Sequence, residues 1–102
     1  MQYEFDEKID EAIHKSVRAA IRHFKERQKL AQESGSPQRP PTYEEFASVV
    51  DQFMEVSRRA DMNKLRTPGL RDLFERAWAQ RVRTYSTQRQ FRDAYEAIMR
   101  RY

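Results

Sequence analysis

Apolar side chains return every three to four residues along almost the whole chain, and nowhere do they keep the two-residue rhythm of a strand. From about Glu4 to Glu33, Phe5, Ile9, Ile13, Val17, Ile21 and Phe24 fall on one face, flanked by Ala12 and Ala20. That spacing predicts a long amphipathic helix. Acidic residues gather in its first turns and basic ones in its last, as the helix macrodipole favours. Glu4 with Lys8, and Glu11 with Lys15, are i,i+4 pairs in the favourable order. The stretch "SGSPQRPPT", residues 34–42, then breaks the pattern with three of the four prolines and one of the two glycines, and reads as a linker.

The linker ends in a helix start. Thr42 and Glu45 have the spacing of a capping box, and Pro41 and Phe46 that of a hydrophobic staple. The second helix is expected to turn Phe46, Val49, Val50, Phe53 and Met54 inward. Its end is open, because "RRADMNKLR" either prolongs the helix or breaks near Asp61. Thr67 followed by Pro68 predicts the start of a third helix, with Thr as cap and Pro at the first helical position, where a missing N–H costs nothing. Leu70, Leu73, Phe74, Ala77, Trp78, Val82 and Tyr85 then follow the inward spacing. A fourth helix is expected from Ser86 or Thr87, the latter pairing with Gln90 as a second capping box, to bury Phe91, Ala94, Tyr95, Ile98 and Tyr102. So short a connection between the last two helices predicts a tight antiparallel pair or a sharp corner. The expected fold class is all-α: a small four-helix domain over residues 1–102, with a long N-terminal helix (1–33), a Pro-rich linker (34–42) and three shorter helices (43–102).

Composition narrows what such a domain does. With 38% hydrophobic and 35% charged residues among 102, there is material for one modest core. The absence of cysteine excludes a disulfide framework and a thiolate zinc site. No apolar run approaches the roughly 18 residues that a membrane span needs. The acidic start "MQYEFDEKIDEAIHK" lacks the apolar region of a secretory signal, so a cytoplasmic location is expected. The net charge of +4 is unevenly spread. Residues 57–102 hold twelve cations against five acids, and eleven of the twelve are Arg, whose planar fork suits phosphates and carboxylates.

The most regular charged feature lies on the first helix. Lys8, Glu11, Lys15, Arg18, Arg22, Lys25 and Lys29 recur at alternating spacings of three and four, which sets six cations in a stripe opposite the apolar face. A ridge about 30 Å long is suited to tracking a phosphate backbone; the plain alternative is the solvated side of an amphipathic helix. Glu4, Glu7 and Glu11 blunt its N-terminal end, leaving Arg18, Arg22, Lys25 and Lys29 as the candidate contacts. Arg58, Arg59, Arg66, Arg76, Arg83 and Arg89 are the further candidates, with Arg76 and Arg83 pointing outward. Arg81 falls inside the apolar arc, three residues after Trp78. Either the helix bends or ends there, or Arg81 finds Asp72, Glu75 or an acid from another element, or Trp78 and Arg81 belong to a partner interface. Tyr3, Tyr43, Tyr85 and Tyr102 offer stacking surfaces for bases, or serve as the rim of the core.

Catalysis has little support. His14 and His23 are out of phase on one helix and lack H-E-x-x-H spacing. Ser16, Ser48, Ser57 and Ser86 sit in no nucleophile elbow, Glu44 and Glu45 are explained by a helix start, and there is no Gly-rich phosphate loop. The chain therefore reads as a non-enzymatic binding protein without cofactor, metal or small-molecule substrate. The first reading is backbone-directed nucleic-acid binding, alone or as a helical accessory subunit of a nucleoprotein complex. Sequence reading by a helix-turn-helix built from "DMNKL" and residues 68–84 is disfavoured, because its second helix opens Pro-Gly-Leu where a recognition helix presents polar side chains. The rival is a protein–protein adaptor, assembly factor or small inhibitor or immunity-type protein docking on an acidic partner; a homodimer, with the first helix packing in cis or in trans, is also open. Lying on a membrane surface is disfavoured, since the core needs that helix's apolar face. The placement of the cations discriminates: convergence on one face favours nucleic acid, scatter favours the adaptor.

Overall fold

The structure, a computed structural model, describes residues 3–36, 39–86 and 89–101, with side chains for all of these but residues 3, 4, 86, 89 and 90. It is all-helical: α1 (Tyr3–Glu33), α2 (Tyr43–Met62), α3 (Pro68–Ser86) and α4 (Arg89–Met99), with no strand among the described residues. The α1 end is set by its glycine. Gly35 takes φ +71, and the Ser36 N–H reaches the Ala31 carbonyl (2.9 Å) while the Gly35 N–H reaches that of Gln32 (3.2 Å). This is the double closure of a Schellman motif, which a side chain at that φ would strain.

The capping box at α2 forms as expected. The Glu45 N–H donates to Thr42 Oγ1 (3.1 Å), and the Thr42 N–H donates to Glu45 Oε1 (2.9 Å). Pro41 is buried, and its carbonyl accepts a hydrogen bond from the Tyr95 hydroxyl (3.0 Å). Replacing Thr42 by Ala removes one half of the box and is expected to cost about 1 kcal/mol in urea unfolding, while Thr42→Ser costs much less. α2 passes Asp61 and stops at Met62, where the Asn63 N–H closes on the Arg59 carbonyl (3.0 Å). Thr67 holds the cap position of α3, its carbonyl accepting from the Arg71 N–H (3.1 Å), and Pro68 is the first helical residue. Ser86 closes α3 rather than opening α4. The second capping box proposed at Thr87 and Gln90, and the burial of Tyr102, lie outside the described residues.

Ring contacts fix the topology. Phe24 of α1 lies beside Phe46 near the start of α2, and Ser57, Ala60 and Asp61 near the end of α2 line one groove with Lys8, Glu11, Ala12 and Lys15. α2 is therefore antiparallel to α1. Along α3, Phe74 meets Phe5, Arg81 meets Asp10 and Tyr85 meets His14, so both chains advance in the same direction. Just past α4, the Arg101 carbonyl accepts from Gln28 near the other end of α1. The antiparallel α3–α4 pair is thus ruled out. The two helices follow one another along α1, with Tyr85 against Phe91 across their junction, and make the third column of a three-column bundle. Length explains why: 31 residues of α1 extend about 46 Å, and the 19 and 11 residues of α3 and α4 together extend about 45 Å. The result is elongated, 53 × 26 × 17 Å.

The core runs the length of these columns through Ile9, Ile13, Val17, Ala20 and Phe24, Phe46, Val50 and Met54, Phe74, Trp78 and Tyr85, and Phe91 and Ile98. Ser16 is buried among them with its hydroxyl donated to the Ala12 carbonyl (2.8 Å), so no polar group is left wanting there. Three expected core residues are exposed instead: Phe53 (38%), Leu70 (44%) and Leu73 (49%). Phe53 stands at the edge of the α2 arc, away from the third column that Arg58 reaches through Glu75. Leu70 lies a turn before Phe74, which is already level with Phe5 near the start of α1, and Leu73, about 100° round the helix from Phe74, sits at the rim of a groove with Asp6 and Arg81 rather than in the core.

Candidate interaction surface

α1 contacts the other three helices with one side, which leaves the opposite side to solvent. On it Lys8, Lys15, Arg18, Arg22, Lys25 and Lys29 are all exposed. Lys15 pairs with Glu11 (3.1 Å); the quartet Arg18, Arg22, Lys25 and Lys29 makes no ion pair among the described residues. These four cations occupy eleven steps of helix, about 16 Å. Arg18 is also felt by Tyr85, whose phenol burial pushes up in pKa while that guanidinium opposes the rise.

The C-terminal candidates do not join this ridge. Arg58 bonds Glu55 (2.9 Å from Nε) and Glu75, and Arg59 bonds Glu55 (3.0 Å). Arg76 is held by Asp72 (3.0 Å). Arg83, nine residues after the buried Phe74, points from the opposite side of α3, at 100° per residue. Arg66 lies in the α2–α3 connection, at the end of the molecule where α1 begins. The side chain of Arg89 lies outside the described residues. The nominated cations thus occupy separate faces.

Arg81 finds the acid from another element. Its Nε donates to Asp10 Oδ1 (3.0 Å) and its Nη2 to Oδ2, a two-pronged bond from α3 to α1 with both side chains 38% exposed. The bonds to Asp10 raise the Arg81 pKa against the opposing effect of burial, and the helix does not stop there but continues to Ser86. Trp78 is a core residue, 8% exposed, in contact with Phe74. Trp78 thus serves the core, and Arg81 ties α3 to α1 while its partly exposed side chain lines a groove with Asp6 and Leu73. Of the tyrosines, Tyr43 and Tyr85 pack against Phe91, and Arg92 stands over the Tyr43 ring at 5.2 Å. The side chains of Tyr3 and Tyr102 lie outside the described residues.

Hydrogen bonds from Arg39 and from the Thr42 backbone hold Glu45 down to about 2, and bonds from Arg58 and Arg59 do the same for Glu55. Both carboxyls are depressed below their ordinary 4.5, so their stabilisation is complete above that pH and lost as pH falls from about 4.5 toward 2. Both are solvent-facing, and the loss measured by thermal melts across that window is expected to shrink in 0.5 M salt, where the Debye length falls to about 4 Å.

One surface feature is not apparent from periodicity alone. Val49, Phe53, Val56 and Ala60 recur at four, three and four along one side of α2, and Val56 is 69% exposed. Ala60 lines the groove with Lys8, Ala12 and Lys15, so the C-terminal end of this apolar edge borders the N-terminal part of the α1 ridge. The only hint in sequence is Val56 itself, an apolar residue outside the inward set. Among the described residues no group of His, Cys, Asp and Glu is placed to hold a metal ion, and no helix is long and apolar enough to cross a membrane. His14 and His23 instead stack edge-on against Tyr85 and Phe24. No protein-family model matches the chain, and no curated protein or solved structure is similar enough to carry an inference.

Proposed function

We propose that this chain is a non-enzymatic protein-binding module, an adaptor, assembly factor or inhibitor, that docks on an acidic protein surface through the α1 ridge and the adjoining apolar edge of α2. The observation that carries the reading is the pairing of charges. Arg58, Arg59 and Arg76 are tied to acids of their own chain, while Arg18, Arg22, Lys25 and Lys29 are unpaired among the described residues and continue along α1 from the level of Phe53 and Val56, with Arg18 the nearest of them. Cations at the side of an apolar strip suit a protein interface, where an apolar centre supplies affinity and a charged rim supplies orientation. A phosphate backbone has no use for the strip.

Backbone-directed nucleic-acid binding is the second reading, supported by the straight line of the same four cations. Anisotropy of four labelled probes separates the two: a Glu-rich amphipathic helical peptide, random duplex DNA, single-stranded DNA and RNA, each at about 50 and 200 mM salt. The module is expected to hold the peptide at both salts, and to lose at least about tenfold in affinity when the quartet becomes Gln or Phe53 becomes Ser. Binding of a nucleic acid with a steep salt slope and no hold on the peptide would replace the first reading by the second. No binding of any probe would retire both.

A further inference from the structure

The outward side of α1 carries a charge pattern with two halves. Glu7 and Glu11 stand exposed on it toward the N-terminus, interleaved with Lys8 and with Lys15, which pairs with Glu11 in the single chain and exchanges places with Arg18 of a second copy. Arg18, Arg22, Lys25 and Lys29 stand on it toward the C-terminus, with no acid paired to them among the described residues. Glu7 and Lys25, like Glu11 and Lys29, are eighteen residues apart, five full turns, so acid and base share one line along the helix. A helix patterned this way is complementary to itself turned end for end. When two copies of α1 lie antiparallel about an axis near His14 and Lys15, Arg18 of one comes level with Glu11 of the other, and Arg22 with Glu7. The two-fold makes each match twice.

The apolar edge of α2 falls at the same level. Phe46 is beside Phe24, and Ser57 to Asp61 border Lys8 to Lys15, so in this antiparallel pair Phe53 and Val56 are level with α1 residues 14 to 17. They therefore sit where the axis passes. A charged seam alone would be worth little, because exposed ion pairs contribute about 0–1 kcal/mol. Phe53 and Val56 meeting their own copies supply the apolar centre that such a seam lacks, with the acid–base matches as its rim.

We infer that the α1–α2 face is a self-complementary surface and that its occupant, in the absence of another partner, is a second copy of this chain packed antiparallel across it. The inference uses the face of the preceding reading and sharpens it: Arg18 and Arg22 are occupied by Glu11 and Glu7 of the second copy until a more acidic surface displaces them. The face is two helices wide, about 20 Å by 30 Å, or some 600 Å² per copy, toward the small end of specific interfaces. A reversible dimer at micromolar concentration is the expected result.

Sedimentation equilibrium of the full chain from about 1 µM to 1 mM tests it, with circular dichroism reporting folding. Two charge-reversal variants make the test specific: Glu7→Lys with Glu11→Lys, and Arg18→Glu with Arg22→Glu. Each is expected to dimerise at least about tenfold more weakly than the wild type, and an equimolar mixture to regain wild-type association, because every clash becomes a match. Phe53→Ser, which alters no charge, is expected to weaken association by a similar factor and to leave helicity unchanged. A wild type that stays monomeric at 1 mM overturns the inference, as does a mixture of folded variants that fails to recover, or dimerisation indifferent to all three changes. Peptide binding measured below 1 µM, where the chain is monomeric, continues to test the preceding reading whichever way this experiment falls.

Discussion

Truncating Phe46 to Ala is expected to lower the unfolding free energy by about 3–5 kcal/mol, the range for removing a fully buried aromatic ring. Phe46 is 0% exposed and stands at the meeting of three helices, with ring centroids 6.3 Å from Phe24 of α1, 5.4 Å from Phe91 and 5.9 Å from Tyr95 of α4. Its removal opens a void bounded by rings that cannot collapse into it without leaving their edge-to-face contacts. For a domain whose whole stability is typically about 5–15 kcal/mol, that is a loss of about a fifth or more. Urea unfolding of Phe46→Ala and Phe46→Leu measures it. The Leu variant, which keeps most of the volume, should recover more than half, and a loss below about 1 kcal/mol for Ala would mean that the three helices do not meet there.

The second large effect is expected from Phe74→Ala, at about 3–4 kcal/mol. Phe74 is 1% exposed at the opposite end of the bundle, between Phe5 and Trp78. Phe46 and Phe74 share no partner among the described ring contacts, so the two losses should add within about 0.5 kcal/mol if α1 joins both ends into one cooperative unit. Thermal melts read at the Trp78 fluorescence and at helical ellipticity decide this. Coincident curves show one unit, whereas a Phe46→Ala melt that precedes the Trp78 signal shows that the α2–α4 end opens by itself.

The four helices were legible because a period of 3.6 residues sets which side of each is apolar. What that period does not carry is the identity of the neighbour across the apolar side. α3 and α4 have the stripes that an antiparallel pair would need, and only the length of α1 tells that both can lie on it in succession. Phase also says nothing of how far a covering surface extends, which is why Phe53, Leu70 and Leu73 read as inward and are exposed. The surface divides in the same way. Outward cations were readable, and so were the local acids of Arg59 and Arg76, four residues before each. The pairings of Arg58 with Glu75 and Arg81 with Asp10, 17 and 71 positions apart, come only with the fold.

The third column also bears on how the chain is made. α1 is synthesised first, and α2 covers one flank of its apolar side, yet the other flank is covered by α3 toward its N-terminus and by the last residues toward its C-terminus, with Gln28 meeting Arg101 across 73 positions. At about 5–20 residues per second, several seconds pass in which α1 has left the ribosome with its Ile, Val and Phe side uncovered and only α2 to shelter it. A helix in that condition is a client for whatever holds nascent apolar segments. The cell's share in producing this protein is therefore concentrated in the interval between the appearance of Glu33 and that of Phe91.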